Sequence, residues 1–320
     1  MAELQPFLVR FWGVRGSYPT PGKHTVRHGG NTSCLEVQVG GHILIFDAGS
    51  GIIRLGDVLM QGIQSAQNGQ HAQDHNLHLA LFITHGHGDH LVGFPFFAPL
   101  FSPSTHLHLF GPQLAGQTIE QLVTPLMSPP YFPVDIRCLP SRRIYHTITS
   151  NQCIYWQNGM TEPTIMKNGS QAVPEQDAMR VSVNAWFTNS HPQNGALIYR
   201  IEYAQRSVVY ATDVEWRKGC DERFLSFIKG ADVLIHDAQY TTPDYQQNKQ
   251  GFGHSTVAMA VEAARQAQVG MLVLFHHEPT YDDERLDQME MEARSVFPRS
   301  YSAYEGMEID LLARTIKRGS

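Results

Sequence analysis

The sequence predicts an α/β protein made of two packed β-sheets with helices on their outer faces. Three observations carry that expectation. Apolar, strand-like segments come in pairs near both ends of the chain with helical patterns between them, which favours two packed sheets over a doubly wound parallel sheet. Of the 320 residues, 42% are hydrophobic and 17% charged, a globular balance. The chain shows neither heptads nor a repeat of roughly 20 to 50 residues, which argues against a solenoid.

The stretch from Phe11 to Asn31 holds Arg15, Gly16, Pro19 and the Gly29–Gly30 pair, and reads as a short strand followed by an ordered loop. Ser33–Val39 and His42–Phe46 are strands joined at Gly40–Gly41, a hairpin signature. Asp47-Ala48-Gly49-Ser50-Gly51 leads into a helix expected at Ile52–Gln61, and a polar surface loop runs on to Asn76. Leu77–Thr84 is a buried-type strand, Thr105–Phe110 another, and Gly116–Met127 a helix. From Ser128 to Asp177 the pattern decays into Pro-, Gly- and Asn-containing sequence with short strand-like pieces. The expected organisation is therefore one domain over 1–318 with a loop-rich, substrate-facing insert at about 128–178.

Regularity returns with Met179–Phe187 and the hairpin-like pair Ala196–Tyr203 and Ser207–Thr212. Ala231–His236 and Met271–Phe275 are strands flanking a helix at His254–Gln268, which opens on the N-cap residues Ser255 and Thr256. Asp282–Ser295 is a charged amphipathic helix and Met307–Leu312 a closing strand.

Composition removes several functional classes. No stretch approaches the ~20 apolar residues of a membrane span, and Met1–Arg10 carries Glu3, Gln5 and Pro6 where a secretory signal would be apolar. The cysteines Cys34, Cys138, Cys153 and Cys220 form no CxxC pair, so reduced thiols and a cytoplasmic location are expected. A net charge of −6 disfavours a stable nucleic-acid partner, which usually meets a basic footprint. The insert is nearly balanced, Arg137, Arg142, Arg143 and Lys167 standing against Asp135, Glu162, Glu175 and Asp177. Such a surface releases few counterions from a polyanion. The substrate expected on these grounds is a small-molecule phosphodiester.

Seventeen histidines are present, and their positions decide what they mean. His85-Gly86-His87-Gly88-Asp89-His90 follows directly on the apolar strand Leu77–Thr84. Three imidazoles and a carboxylate in six residues are ligands of the type zinc prefers. Glycines 86 and 88 free the backbone to wrap the side chains around a small volume. The plain alternative is a solvated His-rich loop; density and placement favour a metal site.

This HxHxDH run resembles the hallmark of the metallo-β-lactamase-fold superfamily, and the resemblance implies a four-layer αββα sandwich with a dinuclear site at one edge. Asn189-Ser190-His191-Pro192 looks like the family's next ligand loop, implying His191 beside His85 and His87 on the first metal. Tyr210-Ala211-Thr212-Asp213 is similar to the strand end that supplies a bridging carboxylate, here Asp213. Leu274-Phe275-His276-His277 resembles the last ligand strand and implies His276 with Asp89 and His90 on the second metal, His277 remaining the alternative. Asp47 matches a position that braces the ligand loop. Singly, His191 reads as a surface residue before a proline and Asp213 as a strand-end cap; their shared order at the ends of apolar strands favours ligation. The implied cofactor is a pair of divalent ions, zinc first, with manganese or iron as alternatives. Such a pair shares a water, lowers its pKa towards neutrality and neutralises charge on the group attacked.

Gly251-Phe252-Gly253-His254-Ser255-Thr256 resembles a motif of the ribonuclease Z-like phosphodiesterase branch. That resemblance implies His254 as the donor to the leaving oxygen, oriented by Asp237 of Leu234-Ile235-His236-Asp237-Ala238, with Asp89 completing the catalytic set. The family also places Glu at this position, so the shorter Asp237 leaves the reach to His254 open. Phe11-Trp12-Gly13-Val14-Arg15-Gly16-Ser17, with Gly29-Gly30-Asn31-Thr32-Ser33-Cys34, resembles a compact bacterial group of that branch, for which a homodimer is expected. Arg15 and Asn31 either line the site or brace it. Tyr131–Phe132 and Trp156 either stack a base or belong to a local core. The expected activity is a dinuclear-metal phosphodiesterase on a small or cyclic nucleotide-like diester. The alternatives are a carboxylic-ester, lactone or thioester hydrolase on the same metals and a non-catalytic metal-binding sensor.

Overall fold

Alternation of apolar side chains builds the layers. In the strand Leu77–Phe82, Ala80 and Phe82 join a core with residues of the opposing sheet, while Leu79 and Leu81 join a separate cluster with Ile52 and Leu55 of the helix Gly51–Gln67. A strand buried on both faces has this two-sided apolar pattern. The computed structural model describes residues 4–67, 76–167, 179–217 and 219–318. Within them two eight-stranded sheets face each other. The first runs, in spatial order, Thr315–Arg318, Met307–Asp310, Phe7–Gly13, Cys34–Val39, His42–Phe46, Leu77–Phe82, Thr105–Pro112 and Arg142–Ile148. The second runs Ser300–Ser302, Leu272–Phe275, Val233–Asp237, Arg206–Ala211, Ala196–Tyr203, Val181–Thr188, Gln152–Trp156 and Thr164–Lys167.

Phe7, Val9, Phe11, Phe46, Tyr199, Tyr210 and Phe275 fill the space between the sheets. On the outer face of the second sheet, Ala260, Ala263 and Ala264 of helix Val257–Gln266 and Leu286, Met289 and Ala293 of helix Asp283–Val296 pack against Leu234, Leu272 and Leu274. The layers are thus αββα.

Direction of pairing creates the site. His42–Phe46, Leu77–Phe82, Thr105–Pro112 and Arg142–Ile148 are mutually parallel, as are Arg206–Ala211, Val233–Asp237 and Leu272–Phe275. Their C-terminal ends deliver Asp47, the 85–90 loop, Asp213, Asp237 and His276. Ligands at strand C-termini are the usual arrangement for parallel sheets with helical crossovers.

Several expectations change. The stretch 128–178, expected as loops with short strand-like pieces, supplies the edge strand Arg142–Ile148 of the first sheet and the strands Gln152–Trp156 and Thr164–Lys167 of the second. The strand Arg142–Ile148 shows no clean alternation because most of its residues are half-buried on both faces. Residues 168–178 lie outside the described residues, as does 68–75 of the polar loop expected up to Asn76. The helix expected to end at Gln61 continues to Gln67. Among the described residues no helix is long and apolar enough to cross a membrane.

Candidate metal centre

Three strand ends turn through the left-handed region at functional positions: Asp47 at φ 62°, Asp213 at φ 56° and His276 at φ 61°. Left-handed backbone at non-glycine residues costs about 1–3 kcal/mol each and persists only where the surroundings enforce it. Each turn aims its side chain back across the sheet edge.

The imidazoles and carboxylates expected at the metals come together. His85, His87, His191 and Asp213 place ligand atoms within 4.8 Å of one another, and Asp89, His90 and His276 form a second such group. Asp213 joins them. Its Oδ1 lies 3.5 Å from His85 Nε2 and 3.6 Å from His191 Nε2, and its Oδ2 lies 3.1 Å from His90 Nε2 and 3.4 Å from His276 Nε2. One carboxylate therefore serves two sets of imidazoles.

Hydrogen bonds behind the rings fix which nitrogen faces the centre. His90 Nδ1 donates to Asp47 Oδ2 at 2.7 Å, and Tyr210 Oη donates to the same oxygen at 2.9 Å. Asp47 Oδ1 accepts from the Thr84 amide at 2.8 Å, so this carboxylate ties the ligand loop to two strands. His191 Nδ1 donates to Gly253 O at 3.0 Å, and His276 Nδ1 to Gln239 Oε1 at 3.2 Å. Asp89 Oδ2 accepts from the Ser17 amide at 2.7 Å. Partners of this kind orient metal ligands and raise their basicity. Close packing holds the rings as well: a Cβ on Gly16 would lie 2.4 Å from His276 Cε1.

Electrostatics fit cations. Burial pushes His85 well below its usual pKa, with His90 adding repulsion against the pull of Asp213. For His90 and His276, burial also opposes the proton, yet the surrounding carboxylates outweigh it. Asp213, Asp89 and Asp47 hold His90 well above its usual value, and Asp213, Asp89 and Asp237 raise His276 to about 9. Carboxylates that favour positive charge on these two rings would equally favour a divalent cation beside them. His85 Nε2 is buried without a hydrogen-bond partner, as a ligand nitrogen is before its ion arrives. The cluster fits a dinuclear metal site.

The remaining expectations resolve residue by residue. His254 Nδ1 donates to Asp237 Oδ2 at 2.7 Å, so the shorter Asp237 reaches the ring. The His254 ring stacks on His276 with centroids 4.8 Å apart, and its Nδ1 lies 3.9 Å from Asp213 Oδ1. His277 points elsewhere, its Nε2 donating to Ala303 O at 3.0 Å, which leaves His276 at the centre. Arg15 is a brace: buried, it donates to the carbonyls of Gly29, Glu278 and Tyr281. Asn31 braces too, through Glu305 and Ser50. Trp156 is core, packed against Phe82 and Phe110, and Phe132 packs on Phe96. Tyr131 is 85% exposed. Thr84, Tyr210, Ser17 and Gln239, which bond the expected ligands or the Asp47 brace, were not legible as site residues.

Comparison with known proteins supplies the family and the fold. A family model described as the beta-lactamase superfamily domain matches residues 42–277. Ribonuclease Z of Thermoplasma acidophilum is 26% identical over 328 residues, covering 96% of this chain and 97% of that protein. Ribonuclease Z of Thermococcus sibiricus is 26% identical over 305 residues, covering 88% and 89%. Among solved structures, the metallo-beta-lactamase fold protein YhfI from Bacillus subtilis superposes with a TM-score of 0.62 at 20% identity, covering 95% of this chain and 99% of that one. The short form of human tRNase Z superposes with a TM-score of 0.60 at 19% identity, with the same coverage of 95% and 99%. These two likenesses establish the fold.

The curated relatives overturn the expectations of a small-molecule phosphodiester substrate and of no stable nucleic-acid partner. Proteins aligned with this chain almost end to end are named for activity on RNA. The physical reason is that a net charge of −6 sums the whole surface, whereas a strand at the site meets only the local field.

Proposed function

Because the chain belongs to the beta-lactamase superfamily and has the metallo-β-lactamase fold, we propose that it is a metal-dependent phosphodiester hydrolase acting on RNA. The hydrolase works as one domain over 1–318. His85, His87 and His191 would hold a first divalent ion and Asp89, His90 and His276 a second, with the Asp213 carboxylate within reach of both sets. Zinc suits this imidazole and carboxylate set. When bound, the two ions supply Lewis acidity that activates a shared water and offsets charge on the phosphoryl oxygens.

The observation that carries the reading is the His254–Asp237 pair at 2.7 Å, standing against the bridging carboxylate. An alkoxide leaving a diester is a poor leaving group until protonated, and an imidazole held by a carboxylate beside the metal cluster suits that role. Asp237 Oδ1 accepts the amides of Ser255 at 3.0 Å and Gln239 at 3.1 Å, which fixes the carboxylate and through it the ring. His254 Nε2 is then the atom presented to substrate. A water that gives up one proton to solvent would form the new P–O bond as the bond to the leaving oxygen breaks, and His254 Nε2 would deliver its proton there and regain one from solvent afterwards.

Groups beside His254 suit a nucleic-acid strand. Phe252 is 53% exposed, and Lys249 Nζ lies 5.5 Å from its ring centroid. A cavity of about 560 Å³, lined by Ser190, Pro192, Arg217 and Gly251 among others, opens next to it. An aromatic face with adjacent cations is how strands are gripped without base-specific contacts. A cytoplasmic location belongs to the same reading, with Cys34 and Cys153 as buried free thiols.

The test is turnover of structured and single-stranded RNA, bis-p-nitrophenyl phosphate, p-nitrophenyl acetate and a lactone, each with zinc, manganese or iron(II). RNA and diester cleavage, with esters and lactone nearly untouched, is the expected result. Ester or lactone turnover without diester cleavage refutes the reading.

A further inference from the structure

Two residues beyond Asp213, the side chain of Glu215 turns away from the metal centre into the loop that carries His254. It is buried, its residue 7% exposed. Oε1 accepts from Tyr245 Oη at 2.6 Å and from the Gly251 amide at 2.7 Å, and Oε2 accepts from the Gly253 amide at 3.0 Å. The carbonyl of that same Gly253 accepts from His191 Nδ1 at 3.0 Å, and the next residue is His254. Gly253 sits at φ +92°, and a Cβ there would lie 2.4 Å from His191 Nδ1, so the peptide has no room to drift towards the ring.

We propose that Glu215 is a positioning residue that sets the rotation of His191 and the place of His254 through the Gly253 peptide. This rests on the reading of His191 as a metal ligand and His254 as the proton donor. The carboxylate fixes the Gly253 amide on one side, and the Gly253 carbonyl fixes His191 Nδ1–H on the other, leaving His191 Nε2 turned towards His87 Nδ1, 3.0 Å away, and Asp213. The strand end that supplies Asp213 and the loop that supplies His254 are thus tied together by hydrogen bonds. Ser255 Oγ, donating to Val214 O at 2.7 Å, stitches them a second time. Removing an outer partner of this type typically weakens metal affinity about 10–100-fold.

The experiment compares wild type, E215A, E215Q, Y245F and H254A by zinc titration against a competing chelator, diester kinetics at saturating metal, and amide hydrogen exchange of the metal-free chains. E215A is expected to lose about 10–100-fold in zinc affinity. It should also exchange faster at Gly251 and Gly253 and show a lower kcat with KM little changed. E215Q keeps one acceptor oxygen and is expected to fall between E215A and wild type, whereas H254A loses turnover with zinc affinity intact. Wild-type zinc affinity in E215A with only a lower Tm overturns the inference, and where E215A does not fold, wild-type affinity and exchange in both E215Q and Y245F do so. Failure of wild type itself to bind zinc refutes the underlying metal assignment, while the exchange data on metal-free chains still report on the Glu215 clamp.

Discussion

His254 and Asp237 form a buried pair, imidazole Nδ1 donating to carboxylate Oδ2 at 2.7 Å, with the ring laid flat on His276 at an interplanar angle of 15°. The pair comes from two elements, the strand Val233–Asp237 and the turn before helix Val257–Gln266, so its geometry depends on both.

Replacing His254 with Ala should lower kcat on a diester by about 10²–10⁴-fold, the usual worth of a positioned acid. Bound metal should stay at the wild-type level. Initial rates and elemental analysis of the same preparation check both. Asp237→Asn should cost a comparable amount, since its one amide oxygen cannot serve both the Ser255 and Gln239 amides and His254 Nδ1, and an NH2 turned towards Nδ1 selects the wrong tautomer.

Asp47→Ala should damage stability more than its distance from substrate suggests. It strips partners from the Thr84 amide, His90 Nδ1 and Tyr210 Oη, all buried. With about 1–3 kcal/mol for each buried group left unpaired, partly relieved by water, a loss of about 3 kcal/mol is expected. Urea unfolding of the metal-free chain measures it, and an unchanged midpoint contradicts it.

The far end of the sandwich should be sensitive to acid. Burial lowers the pKa values of His42, His108 and His146, the last to about 4. Folded His146 stays neutral where the unfolded chain, near 6.5, takes up a proton. The stability it contributes is therefore present above about pH 6.5 and lost as pH falls towards 4. Because the ring is half-exposed, the loss is on the order of 1 kcal/mol after screening. His146→Phe, keeping the stack on Phe110, should flatten stability over that window. An equally steep profile in the variant argues against the assignment.

Much of this was legible in the sequence because it is local. Leu77–Thr84 announces a buried strand, and the HxHxDH run sits at its end. Asp213 and His276 share that placement, which is why widely separated residues could be grouped. The strand Arg142–Ile148 was not legible, since its partner is Thr105–Pro112 and half-burial on both faces erases any alternation. Glu215 and Gln239 escaped for another reason. Glu215 bonds Tyr245, Gly251 and Gly253 and Gln239 bonds His276 and Glu278, partners distant in sequence that neither residue type nor spacing encodes. Charge misled about partners because it was summed over the chain and over the insert, whereas the field that matters is the one at the loops around the site.

Asp213→Ala should leave the two imidazole groups without their shared carboxylate, whose oxygens stand 3.1–3.6 Å from four imidazole nitrogens. Metal content is expected to drop to one ion or fewer per chain, with diester turnover lost. Two tightly held ions in this variant would remove Asp213 from the bridging position.

The most direct test is metal stoichiometry of the wild-type chain, purified without chelator, reconstituted with zinc and dialysed, read by elemental analysis beside anomalous diffraction. The account predicts two ions per chain, one on each side of the Asp213 carboxylate. A chain that cleaves RNA or diester with no bound metal, or whose ions lie away from Asp213, contradicts it.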